Sequence, residues 1–100
     1  MQEMKQFIYM FKPRRENFLQ TMTPDEMAAF GGHLEYTKKL FDDGLVILMG
    51  ACTDGGFGVV IFKAVSAEEA QSIFDNDPAV KARIVHAELH PYKIVAFKNP

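Results

Sequence analysis

The stretch LVILMGACTDGGFGVVIFK, residues 45–63, contains two short apolar runs on either side of a turn. Apolar and β-branched side chains fill residues 45–51 and 57–63, a composition typical of strands. The Asp54-Gly55-Gly56 sequence between them supplies the residues that close tight turns. The stretch therefore predicts a β-hairpin near the middle of the chain.

One predicted helix precedes this hairpin and another follows it. Thr23-Pro24-Asp25-Glu26 has the pattern of a capping box with proline at the first helical position, so a helix is predicted over residues 24–43. Ser66 and Glu69 repeat the capping pattern and open a shorter helix, which ends near Asn76. The apolar stripe of the first helix, which we expect to face the core, contains Met27, Phe30, Leu34, Thr37 and Phe41.

Strands are predicted at both ends of the chain. Residues 5–12 are rich in aromatic and branched side chains, and residues 84–89 and 92–97 form a last strand that is bent or broken at Pro91, after an extra helical turn at 79–82. The order is βαββαβ, and no linker interrupts residues 1–100. This order predicts a single α+β domain of the ferredoxin-like type, a four-stranded antiparallel sheet with two helices on one face.

The first strand is apolar on both of its faces. Phe7, Tyr9 and Phe11 share one face, and Ile8 and Met10 share the other. Helices can cover only one side of such a sheet, and a soluble monomer seldom exposes an apolar face of that size. We therefore expect a homodimer that forms through the sheet faces.

Composition argues against several classes of protein. The 100 residues carry a net charge of −2, so the attraction that draws proteins to nucleic acids or anionic lipids is missing. No apolar stretch approaches the roughly 20 residues of a membrane span, and the N-terminus has no signal-peptide pattern. We expect a cytoplasmic protein that binds neither membranes nor nucleic acid.

One segment nevertheless resembles a nucleic-acid motif. Residues 56–62, GFGVVIF, are similar to the RNP1 segment of RNA-recognition motifs, which share the βαββαβ order. Gly55 stands at the basic position of that motif and Val59 at a stacking position. Both departures remove contacts that RNA binding needs, so RNA binding is not expected.

His33 is the main candidate for acid–base chemistry. It lies at the border of the apolar stripe of the first helix, where an imidazole can line a pocket and exchange protons at neutral pH. The alternative is a histidine that only packs and bonds a backbone carbonyl. Gly31 and Gly32 precede it, and they indicate local weakness of the helix, the close approach of another backbone, or a bend that sets the angle of His33.

Asp77 also has two interpretations. Before Pro78 it is a typical N-cap residue, and a carboxylate can equally hold an imidazole in one tautomer. Sequence spacing does not decide whether Asp77 reaches His33.

A polar row follows in the last strand. His86, Glu88 and His90 alternate with apolar residues, yet they span about 13 Å in an extended strand, too far to chelate one ion readily. We therefore predict no metal site.

Several segments together resemble the YciI-like (YCII-related) family of small bacterial proteins. The matching segments are residues 7–11, Gly31-Gly32-His33-Leu34, residues 44–50, Ala67-Glu68-Glu69-Ala70, residues 77–82 and Glu88-Leu89-His90-Pro91-Tyr92. The resemblance implies a dimeric α+β barrel and an active-site dyad formed by His33 and Asp77. His90 and Tyr92 depart from it, because the family commonly has arginine and tryptophan there.

Two functional hypotheses follow. The first is a small-molecule enzyme that needs no cofactor, in which His33 transfers a proton in an elimination or isomerisation and Asp77 orients the imidazole, with the ligand in a cleft near His33. The second is a non-catalytic dimeric module that binds a small metabolite or a partner protein. Proton transfer requires His33, whereas a binding module could tolerate glutamine there.

Overall fold

A four-stranded antiparallel sheet carries the fold. The computed structural model describes residues 3–98, in which β1 is Lys5–Pro13, β2 is Val46–Ala51, β3 is Gly58–Ala64 and β4 is Val85–Pro91. The strands lie in the order β2-β3-β1-β4. This order confirms the predicted hairpin and the ferredoxin-like antiparallel sheet.

Within the described residues, three α-helices and one turn of 3-10 helix, Phe18–Gln20, connect the strands. The α-helices are α1 at Pro24–Asp42, α2 at Ala67–Asp75 and the short α3 at Pro78–Lys81. The capping box of α1 forms as predicted, since the Glu26 amide donates to the Thr23 hydroxyl and the Thr23 amide donates to the Glu26 carboxylate. In α2 only half of the box forms, because the Ser66 hydroxyl accepts from the Glu69 amide without a return bond.

The core lies between the helices and one face of the sheet. Alternate residues of β1 and β3 are buried there and pack against α2, and the main cluster contains Phe7, Tyr9, Val46, Val60, Phe62, Ala64, Ala70 and Phe74. The residues between them face the opposite side and stay at least partly exposed. The predicted division of β1 into two faces is therefore confirmed.

Gly58 makes room for an aromatic ring beside the site. It pairs with Phe11 across β1 and β3, and a Cβ atom at position 58 would overlap the Phe11 ring, closer than 3.0 Å. We expect Gly58→Ala to lower the free energy of unfolding by about 1–3 kcal/mol, the usual cost of overpacking. Gly50→Ala in β2 is the control, because nothing lies within 4 Å of its Cβ position. Urea unfolding of both variants measures the difference, and equal stabilities would contradict the steric argument.

The predicted inward stripe of α1 is confirmed only in part, because Thr37 is buried and Phe30 is partly buried but the other three members are exposed. Met27, Leu34 and Phe41 are 57%, 53% and 49% exposed, whereas His33 and Thr37 are the buried residues of the helix. The helix is rotated by about a quarter turn from the expected orientation. Burial of the two polar side chains is possible because both have hydrogen-bond partners, Asp77 for His33 and the His33 carbonyl for Thr37.

The predicted last strand is broken at Pro91, and its second part beyond the proline does not form a strand. β4 ends at Pro91, and residues 92–98 lie outside the sheet. Pro91 already pairs with Phe7, so it lies close to the end of the partner strand β1, which begins at Lys5. Two further bonds hold the segment, from the Tyr92 amide to the Gln6 carbonyl and from the Ile94 amide to the Gln6 side chain.

Candidate active site

His33 and Asp77 form a buried pair. Nδ1 of His33, in α1, lies 2.7 Å from Oδ2 of Asp77, which is the N-cap of α3. His33 is 4% exposed and Asp77 is fully buried. The two residues that sequence spacing left unconnected are therefore in direct contact.

Both interpretations of Asp77 apply at once, because its two oxygens have different partners. Oδ1 accepts the Ala79 amide at 2.9 Å and so caps α3. Oδ2 accepts the Tyr9 hydroxyl at 2.7 Å in addition to His33. A carboxylate with three donors is well satisfied in the interior, where an unpaired charge would be costly.

Asp77 determines which nitrogen of His33 is available. An ionised carboxylate can only accept hydrogen bonds, so Nδ1 carries the proton in this pair. In the neutral ring Nε2 is then the acceptor, and His33 is one of the residues that line an apolar cleft. The carboxylate thus holds the imidazole in one tautomer.

The cleft beside His33 is small and apolar. Its volume is about 220 Å³ and it is lined by Phe11, Phe30, His33, Leu34, Thr37, Met49, Gly50, Ala51, Val59 and Val60. The Phe11 ring meets the imidazole edge-on at a centroid distance of 4.8 Å, and the Phe30 ring stacks at 5.9 Å. Two aromatic rings thus fix the plane of the imidazole, and His33 is the ionisable side chain of this lining.

Gly32 allows α1 and α3 to approach each other. A Cβ atom at Gly32 would lie 3.1 Å from Cβ of Pro78, the residue after Asp77, whereas nothing lies within 4 Å of a Cβ at Gly31. Among the predicted roles for this glycine pair, close approach of a neighbouring segment therefore applies to Gly32 and not to Gly31, and the contact is with the side chain of Pro78.

The glycine pair gives a matched test. Gly31→Ala should raise the free energy of unfolding by up to about 1 kcal/mol, because alanine is the better helix former. Gly32→Ala should lose this gain, since the new methyl group pushes against Pro78. Thermal unfolding measures both variants. An equal gain in stability at the two positions would show that α3 moves aside at no cost in free energy.

Two tyrosines near the pair remain protonated. Burial, followed by the charge of Asp77, raises the pKa of Tyr9 far above its ordinary value. The same two causes raise the pKa of Tyr36, whose hydroxyl donates to the Ile73 carbonyl at 2.8 Å. The contact of Tyr9 with Asp77 was missed at the sequence level, where Tyr9 was one of three alternating aromatics and only its hydroxyl group set it apart.

The polar row of β4 lies away from this site. His86, Glu88 and His90 are exposed together on the face opposite the helices, as predicted, with Nε2 of His90 3.3 Å from Oε2 of Glu88. Within residues 3–98, no cluster of three or more His, Cys, Asp or Glu side chains is arranged to hold a metal ion. In the same range no helix combines the length and the hydropathy needed to cross a membrane.

Two solved structures have a similar fold. 5-Chloro-2-hydroxyhydroquinone dehydrochlorinase (TftG) from Burkholderia phenoliruptrix AC1100, in complex with 2,5-dihydroxybenzoquinone, is 21% identical, with a TM-score of 0.62 over 87% of this chain and 93% of that chain. An uncharacterized protein from Thermotoga maritima is 11% identical, with a TM-score of 0.52 over 91% of this chain and 100% of the other. No curated protein sequence matches the chain.

The family model of the YCII-related domain matches residues 7–97. That range contains all four strands, the three helices and both members of the buried pair. The protein therefore belongs to the YCII-related domain family.

Proposed function

We propose that the protein is a small-molecule enzyme in which His33 transfers a proton and Asp77 orients the imidazole. The observation that carries the proposal is the buried contact of 2.7 Å between the two side chains at the wall of an apolar cleft. A base requires a fixed tautomer and an accessible nitrogen. The contact with Asp77 supports the first requirement, and the position of His33 in the lining of the cleft supports the second.

The proposed reaction is an elimination or an isomerisation. Nε2 of His33 removes a proton from a carbon or a hydroxyl of the substrate, and the imidazolium that forms is stabilised by the carboxylate of Asp77. The proton then returns to the leaving group or to another atom of the substrate. Proton transfer of this kind needs only an acid–base group, so no cofactor is part of the proposal.

The shape of the cleft supports a small ring-bearing or carbonyl compound as substrate. An apolar cavity of about 150 Å³ can hold benzene, so about 220 Å³ accommodates one substituted ring. Phe11 and Phe30 offer aromatic contacts beside the imidazole. TftG is named for dehydrochlorination of a chlorinated hydroxyhydroquinone, an elimination from a ring of this size.

Two assays test the reaction class. In the first, 5-chloro-2-hydroxyhydroquinone is the probe and chloride release is measured. In the second, a panel of small phenols and carbonyl compounds is incubated in D₂O, and deuterium incorporation is measured by NMR. We expect turnover or exchange above the uncatalysed rate for at least one ring compound. Saturable binding of panel members without either reaction would favour the non-catalytic module.

Assembly through the sheet is the second part of the proposal. The face opposite the helices carries a half-buried or exposed apolar patch formed by Ile8, Met10, Leu48, Val59 and Ile61. A second copy that covers this patch would bury the roughly 1,200 Å² or more that a stable dimer requires.

Light scattering tests the dimer. We expect a mass of twice 11.3 kDa at micromolar concentration and a shift toward one chain mass in Ile61→Lys, because the new charge would have to be buried in the interface. Met27→Lys, on the exposed side of α1, is the control and should leave the mass unchanged. A wild-type mass of 11.3 kDa would exclude the proposed assembly.

A further inference from the structure

The hydroxyl group of Tyr9 takes no part in the proton transfer proposed above, although it touches the pair that performs it. It donates to Oδ2 of Asp77 at 2.7 Å, and Nδ1 of His33 lies 2.7 Å from the same oxygen. Tyr9 is fully buried and does not line the cleft. A ligand beside His33 therefore meets Tyr9 only through Asp77.

The position of the Tyr9 hydroxyl is fixed independently of His33 and Asp77. Tyr9 lies in β1, which is paired with β3 on one side and β4 on the other. Its ring packs edge-on against Phe62 at a centroid distance of 5.7 Å and against Phe74 at 5.3 Å. The sheet and α2 thus direct the hydroxyl at the carboxylate, while α1 and α3 contribute the pair itself.

We propose that Tyr9 is a positioning residue that takes up part of the charge of Asp77 and so limits how strongly the carboxylate holds His33 in its protonated form. The inference rests on the proposed function of the His33–Asp77 pair. A hydrogen bond to an anion stabilises the anion. When the carboxylate is paired with an imidazolium, the hydrogen bond from Tyr9 stabilises it less. Tyr9 therefore favours the state in which the imidazole is neutral and Nε2 is free to accept a proton.

The groups around the pair are compatible with this role. The pKa of Tyr9 is raised by burial and by Asp77, so its hydroxyl remains a donor over the whole working pH range. In the part of the chain that the structure describes, β1 and α1 present the tyrosines Tyr9 and Tyr36 to the pair. The other neighbouring elements present uncharged side chains: Phe74 from α2, Met49 from β2 and Ala79 from α3.

The test follows the ring nitrogens of His33 by ¹⁵N NMR as a function of pH, in the full-length protein without ligand. In Tyr9→Phe the imidazole should keep its second proton to a higher pH, and the midpoint of the titration should rise by about one pH unit. The reason is that the carboxylate then stabilises the imidazolium without competition from the Tyr9 hydroxyl. Asp77→Asn should lower the midpoint. Tyr36→Phe is the matched control and should leave it unchanged, since that hydroxyl donates to Ile73 and not to the carboxylate.

Each outcome decides the proposal. An unchanged or lower midpoint in Tyr9→Phe overturns the role of Tyr9, and if Asp77→Asn still lowers the midpoint, the His33–Asp77 pair stands. If neither variant moves the midpoint, the pair is wrong as well. Should Tyr9→Phe fail to fold, the wild type supplies the measurement. The chemical shift of the Tyr9 hydroxyl proton should then change as the pair takes up its proton. A chemical shift that stays constant through this titration overturns the proposal.

Discussion

Replacement of His33 by glutamine should lower turnover at least about 100-fold, the smallest usual contribution of general acid–base catalysis. Glutamine retains a side chain of similar length and polarity, but it cannot accept and return a proton at neutral pH. The measurement is the initial rate with whichever probe reacts with the wild type, together with the dissociation constant of the same compound from an NMR titration.

Rate and binding together separate the two hypotheses. Loss of rate with affinity kept within a few-fold identifies His33 as the group that moves the proton. His90→Gln makes the same substitution at an exposed histidine outside the cleft and should leave the rate unchanged. Equal rates in wild type and His33→Gln would remove the imidazole from the mechanism.

Removal of the carboxylate should have the largest effect on stability. Asp77→Ala is expected to lower the free energy of unfolding by about 3–5 kcal/mol, because the hydroxyl of Tyr9, Nδ1 of His33 and the amide of Ala79 lose their acceptor together. Domains of this size have about 5–15 kcal/mol in total, so a loss of this size removes a large share of the stability and leaves a domain at the lower end of the range close to unfolding at room temperature.

Two further variants show whether the effect belongs to the buried contacts. Asp77→Asn should cost less, because the amide oxygen still caps α3. Asp75→Ala, at the exposed end of α2, should stay within about 0.5 kcal/mol of the wild type. Urea unfolding measures all three, and a loss in Asp77→Ala no larger than that in Asp75→Ala would mean that the buried contacts contribute little.

Local sequence signals predicted the sheet and the helix starts well. The alternation of Phe7, Tyr9 and Phe11 places one face of β1 in the core, and the capping pattern at Thr23 marks the beginning of α1. These signals act over a few residues, through side-chain period and hydrogen bonds to nearby amides, so no knowledge of distant segments is required.

The rotation of α1 could not be predicted in this way. Hydrophobic periodicity favoured a buried stripe that included Met27, Leu34 and Phe41, but these three side chains are exposed and the helix buries His33 beside Thr37, which the stripe already contained. Burial of those two polar side chains depends on hydrogen-bond partners, and the partner of His33 lies 44 positions further along the chain. Family resemblance supplied that pairing in advance, whereas residue spacing could not.

The shared use of Asp77 has a consequence for the dynamics of the protein. One oxygen holds the amide of Ala79 and the other holds the imidazole and the phenol, so a motion that swings the carboxylate away breaks the cap of α3 and the contact with His33 together. Hydrogen exchange at the Ala79 amide is therefore sensitive to that motion. Backbone exchange can thus follow the side-chain arrangement of the site without a substrate.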